Sequence, residues 1–157
     1  MKWVTRERPK IDRLACPWLI QRFIDPGAEI LYVPPAEVIG TADRDGAIPF
    51  DVPGVELTHA GPLCSFDAFL AKYRLEDAGL ARLAEIVRAA DTDTLERSPQ
   101  AAGLLAIMLG LGANIPDDQQ LLHAARIVYD ALYTWCGSGQ AERHGWSPDR
   151  LLESMQS

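Results

Sequence analysis

Paired cysteines are the first thing this chain lacks. Cys16, Cys64 and Cys136 stand far apart with no C-x-x-C among them, so neither a disulfide framework nor a zinc knuckle is expected, and a reducing cytoplasm is the compartment that fits. Long apolar runs are missing as well. The longest stretch of apolar and glycine residues, 101–113, falls short of the roughly 20 residues that span a bilayer, and residues 1–14 contain no signal-peptide core, so membrane insertion is not expected. Basic residues are the minority, 15 against 22 acidic ones for a net charge of -7, which opposes binding to nucleic acid by phosphate neutralisation. G-x-x-x-x-G-K-[ST], G-x-G-x-x-G, G-x-S-x-G and H-E-x-x-H are all absent, which leaves phosphate-loop, dinucleotide, hydrolase and zincin chemistry without a motif and excludes a nucleotide cofactor from the expectations. Without repeats, low-complexity tracts or linkers, residues 1–157 read as a single domain ending in a polar tail over 137–157.

What is present is a chain that is 48% apolar, enough for one sizeable core. Its first half, rich in proline and glycine, alternates short β-type runs with turns: Lys2 to Thr5, Ile30 to Val33, Val55 to Thr58 and a weaker one near Ile48 to Phe50. The second half is helical. The expected class is α+β, predominantly helical, in one compact domain. A first helix over about Arg13 to Ile24 must either start near Cys16 or bend at Pro17, which cannot donate an amide hydrogen bond. Ser65 reads as the N-cap of a helix whose Phe66, Phe69, Leu70 and Tyr73 form a core-facing stripe. The next helix, from about Asp77 to Asp93, is followed by an apolar one after Ser98-Pro99 that is expected at the centre of the fold, and a last one opens with the Asp117/Gln120 capping box. Cys136 falls on the core stripe of that last helix.

Asp91 is the most informative residue of this pattern. It continues the apolar stripe of Leu80, Leu83, Ala84 and Val87, and a carboxylate aimed at a core needs a proton, a hydrogen bond, an arginine or a metal; the alternative is that the helix frays first. The stretch ELTHAGPLCSFDAF adds His59, Cys64 and Asp67 at what reads as the end of a strand and the start of a helix. Imidazole, thiolate and carboxylate are the ligand types of zinc and non-haem iron, so His59, Asp67 and Asp91 form a candidate open metal site for zinc, iron or manganese, with Cys64 as a fourth ligand or neighbouring thiol. The bland alternative makes His59 a turn histidine, Asp67 a helix-dipole partner and Cys64 a small buried hydrophobe.

Charge is uneven along the chain: residues 1–22 carry +4 and the remainder -11. Arg13, Trp18 and Arg22 are candidate oxyanion-binding residues; either arginine is also a candidate partner for Asp91 without any metal. Cys16 beside these arginines, like Cys64 at a helix N-terminus, is a candidate reactive thiol. A homodimer is a candidate assembly, since tryptophans 3, 18, 135 and 146 offer contact surface as well as core packing.

The ordered blocks KIDRLACPWLIQRFID, PFDVPGVELTHAGPLCSFDAFLAKYRLED, IVRAADTD and SPQAAGLLAIMLGL resemble the C-terminal domain of the ChrB-type chromate resistance family. The resemblance implies a role in chromate resistance, with chromate or a related oxyanion as the partner to expect, and carries over Arg13, Cys16, Trp18, His59, Cys64, Phe66, Asp67 and Asp91 as motif positions. Longer members have an additional N-terminal region before the DRLACPW block, to which DNA binding would belong, so direct nucleic-acid binding is not expected of this chain. It also implies a histidine in similar domains where Arg88 stands, and an association with rhodanese-like modules. An accessory or sensor domain and a small metal- or thiol-dependent enzyme are the two readings these residues leave open.

Overall fold

The computed structural model describes residues 1–149 and 152–153; of the tail expected over 137–157, residues 150, 151 and 154–157 lie outside the described residues. Three parallel strands, β1 (Lys2–Arg6), β2 (Glu29–Val33) and β3 (Ile48–Pro49), form a sheet of order β2-β1-β3, with Trp3 opposite both Ile30 and Ile48. Parallel neighbours need crossover connections. Helix α1 (Asp12–Leu19) supplies the first and α2 (Val38–Asp45) the second, and α3 (Ser65–Lys72), α4 (Ala78–Asp91), α5 (Ala101–Asn114) and α6 (Asp118–Thr134) complete the helical half.

The alternation of side chains along a strand splits the core in two. Trp3 faces the large cluster that contains Trp18, Phe50, Phe66, Phe69, Leu83 and Tyr129; Val4, on the other face, packs with Val38, Ala42, Ala47 and Val52. Buried Thr5 donates its hydroxyl to the carbonyl of Phe50 at 2.7 Å, tying β1 to the chain just beyond β3. The edges after β1 and β3 therefore sit side by side.

Pro17 lies inside α1, which starts at Asp12 rather than near Cys16. The ring leaves the carbonyl of Arg13 without its i+4 donor, and the Tyr32 hydroxyl takes that place at 2.7 Å. The chain then loosens into a π turn over Ile20–Ile24, where the amide of Asp25 bonds to Ile20 at 2.7 Å. Tyr32→Phe removes the substitute donor and is expected to lower stability by about 1 kcal/mol, read as a shifted urea midpoint at unchanged slope; an unmoved midpoint would show that water replaces the hydroxyl at no cost.

Two expectations need correction. Val55 to Thr58 is no strand: Asp51 and Gly54 have φ of 53° and 84°, and the Asp51 amide bonds to the Leu57 carbonyl at 2.8 Å, which curls the segment into a loop on which only Leu57 is fully buried. Helix α5 is not central. Apolar composition does not fix position, and only Ala101, Leu104 and Met108 are buried, while Ile107 and Leu109 face outward. Cys136 is fully buried, in a π turn that follows α6. No helix among the described residues is long and apolar enough to cross a membrane.

Candidate metal centre

Helix α4 stays wound to Asp91, its last residue, which aims the carboxylate inward as its place on the apolar stripe requires. Asp12 is the first residue of α1, just beyond β1; Asp51 lies just beyond β3; His59 follows on the same loop. All four meet. The Nε2 of His59 lies 2.9 Å from Asp91 Oδ2, 3.3 Å from Asp12 Oδ2 and 3.3 Å from Asp51 Oδ1. The cluster forms at the carboxyl ends of parallel strands, where open α/β sheets place their ligands.

The carboxylates are held from behind. Asp12, fully buried, accepts the amides of Ser65 at 2.7 Å and Phe66 at 3.2 Å, so it also caps the N-terminus of α3. Its own amide donates to Asp91 Oδ1 at 3.3 Å. Asp51 accepts the Ser65 hydroxyl at 2.6 Å on Oδ1, while Arg6 Nη2 at 3.1 Å and Arg13 Nε at 3.5 Å approach Oδ2. His59 is the open side, with 40% of its side chain exposed.

Crowding like charges in a desolvated space moves their titration. The hydrogen bond to Asp12, reinforced by the charges of Asp12, Asp91 and Asp51, raises His59 to about 9 against the opposing effect of its partial burial. Burial and then the repulsion of Asp12 and Asp51 raise Asp91 to about 7. Burial, with repulsion from Asp51, raises Asp12 as well, although His59 and the Ser65 amide oppose it. Without a cation His59 keeps its proton near neutral pH.

One ligand atom each from Asp12, His59 and Asp91 lies within 4.8 Å of the others. Two carboxylates and an imidazole suit zinc, iron or manganese, and a dication would answer the burial and the mutual repulsion that raise Asp12 and Asp91. The residues present therefore fit a divalent metal.

The other candidates divide. Asp67 is turned to Arg88, which grips it through Nε at 2.9 Å and Nη2 at 2.7 Å, and to the Cys64 amide at 3.0 Å. Burial alone would raise this carboxyl, but those bonds hold it below its ordinary value. It stabilises the start of α3 and stands apart from His59 and Asp91. Cys64 is the N-cap of α3, and Cys16 has its Sγ 3.8 Å from Asp12 Oδ1. Both thiols are fully buried, and desolvation followed by nearby carboxylates pushes both well up, which disfavours the thiolate needed for nucleophilic or redox attack.

Arg13, Trp18 and Arg22 do not share a site. Arg13 donates to the carbonyls of Arg6 and Glu7 at 3.0 and 2.9 Å; the Trp18 indole donates to Asp130 at 2.8 Å, and Arg22 pairs with Asp130 while lying over Trp18, Phe23 and Tyr133. Neither arginine reaches Asp91 through a hydrogen bond or ion pair among the described residues. Asp12 and Asp51 are the members of the cluster that the sequence reading overlooked. Asp12 had a signal, since Ala15, Cys16 and Leu19 follow it at i+3, i+4 and i+7, the same test that singled out Asp91. Asp51 had none, because loops have no period.

A family model described as ChrB, C-terminal domain, matches residues 3–136 and so spans every member of the cluster. Protein ChrB of Cupriavidus metallidurans (strain ATCC 43123 / DSM 2839 / NBRC 102507 / CH34) is 38% identical over 134 residues, which are 85% of this chain and 40% of that relative. The chain thus spans well under half the length of the curated relative. No solved structure matches it.

Proposed function

Because the chain belongs to the ChrB C-terminal domain family, we propose that it serves chromate resistance as an accessory or sensor domain that holds a divalent metal between Asp12, His59 and Asp91. The observation that carries this reading is the convergence of three aspartates on one imidazole nitrogen. Gathering three carboxylates in a largely buried space carries a cost that His59, Arg6 and Arg13 offset in part, and a divalent cation would offset the remainder. When bound, the metal would supply Lewis acidity or a redox centre. The chain's own residues do the rest. Asp12, His59 and Asp91 would hold the ion, the Ser65 hydroxyl orients Asp51, and Arg6 and Arg13 fix the other oxygen of Asp51.

A small metal-dependent enzyme is the second reading, favoured by the exposure of His59, which leaves one side of the site to water or a substrate. The burial of Cys16 and Cys64 speaks against a thiol-dependent one.

The test is elemental analysis of protein purified without chelator and then dialysed against zinc, iron(II) or manganese(II). Near-stoichiometric metal is expected in the parent and in Asp67→Asn, and loss of it in His59→Ala and Asp91→Asn. Metal retained by His59→Ala, or absent from the parent under all three cations, would end this reading.

A further inference from the structure

A second site opens beside the cluster. A pocket of about 500 Å³ is lined by Arg6, Lys10 and Arg13 on one side and by Pro35, Met108 and Leu109 on the other. We propose that it binds a small organic phosphate monoester, with the phosphate on Arg6, Lys10 and Arg13 and an apolar body against Pro35, Met108 and Leu109. This goes beyond the metal reading and does not depend on it.

Three features of the pocket support the assignment. The first is unspent donors. Arg6 spends only one guanidinium nitrogen, Nη2, on a partner, Asp51, and Lys10 is exposed with no hydrogen-bond or ion-pair partner among the described residues. Arg8, by contrast, is fully engaged with Asp118 and with the carbonyls of Gly112, Ile115 and Pro116. The second is charge. Arg6 and Arg13 share a single carboxylate oxygen, Oδ2 of Asp51, so with Lys10 the wall carries three cations against Asp51 and solvent-exposed Glu7, a net of one positive charge, with Asp91 also acting on Arg13 from the cluster side. A phosphate monoester brings about -1.5 to -2, and guanidinium forks match its oxygens. The third is size and lining. The volume falls within the roughly 300–1,000 Å³ of small-molecule sites and exceeds what a bare oxyanion fills, a water molecule taking about 30 Å³. Met108 and Leu109 come from α5, whose 14 residues include no charge, and they give an organic body a surface to cover. The place is consistent too, since Arg6 ends β1 and Pro35 lies just beyond β2, at the carboxyl edge of the sheet.

Isothermal titration of metal-free protein at fixed ionic strength, with phenyl phosphate, inorganic phosphate, phenylacetate and phenol as probes, tests this. Phenyl phosphate is expected to bind at least about tenfold more tightly than any of the other three, a gap of roughly 1.4 kcal/mol. Lys10→Ala, a solvent-exposed change with no bond to break, is expected to weaken it about tenfold with the melting temperature unmoved, and Leu109→Asp to weaken it as well. His59→Ala is expected to bind as the parent does, which separates this site from the metal centre. Inorganic phosphate bound as tightly would make this a bare oxyanion site, and phenylacetate bound as tightly a carboxylate site. Either result, no binding of phenyl phosphate, or an affinity indifferent to Lys10→Ala would overturn the proposal.

Discussion

Asp12→Ala is expected to cost the metal-free protein about 3 kcal/mol of stability, the largest loss from any single change in the cluster. The carboxylate is the acceptor for two amides at the N-terminus of α3, those of Ser65 and Phe66, and Asp12 and both donors are fully buried. Each buried amide left without an acceptor costs roughly 1–3 kcal/mol. Removing one negative charge also relieves Asp51 and Asp91, which offsets part of this, but His59 already compensates much of that repulsion, so the orphaned amides decide the sign. Asp12→Asn keeps one acceptor oxygen and is expected to lose less. Asp91→Ala is expected to lose less again, since Asp91 accepts only one backbone amide, at 3.3 Å. Urea unfolding of the three variants orders them; an Asp12→Ala midpoint equal to that of the parent would mean that water enters and caps α3 in its place.

The order of those effects reflects what the sequence could reveal. Asp91 was legible because a 14-residue helix repeats its apolar positions often enough to fix a phase, and the carboxylate falls on it. Asp12 obeys the same rule on α1, but the expected start at Arg13 placed it just outside the helix and left it as one charge of a basic segment. His59 was recognisable by residue type on a turn, while its partners depended on how β1 and β3 align, and pairing between strands 45 residues apart has no local signature. Asp67 shares a short stretch with His59, yet its carboxylate is spent on Arg88, 21 residues further on. That pairing bears on the position at which the resemblance implies a histidine in similar domains: here an arginine stands one turn before Asp91 and faces the α3 cap. Helix α2 went unseen because eight residues containing Gly40 and Thr41 carry too little periodicity to stand out from a loop.

The stability of the metal-free protein and its affinity for metal are expected to respond to pH in opposite directions. His59 is raised from 6.5 to about 9 in the folded chain, so between those values the folded state holds a proton that the unfolded state has released. Its contribution is complete below about 6.5 and disappears as pH climbs through 9. Asp91, raised from 3.8 to about 7, has the same sign over a lower window, and Asp12 shifts in the same direction. The melting temperature of the metal-free protein should therefore fall steadily from pH 6 to pH 9.5. A metal takes the deprotonated forms of the same groups, so its affinity should rise over that interval and the stabilisation it gives should widen with pH. Melting curves from pH 6 to pH 9.5, with and without manganese(II), should diverge in the parent, whereas His59→Gln should show a flatter apo curve and little separation. An apo curve that is level across the interval would mean that His59 carries no extra proton in the fold, and that the three aspartates are balanced by something other than the imidazole.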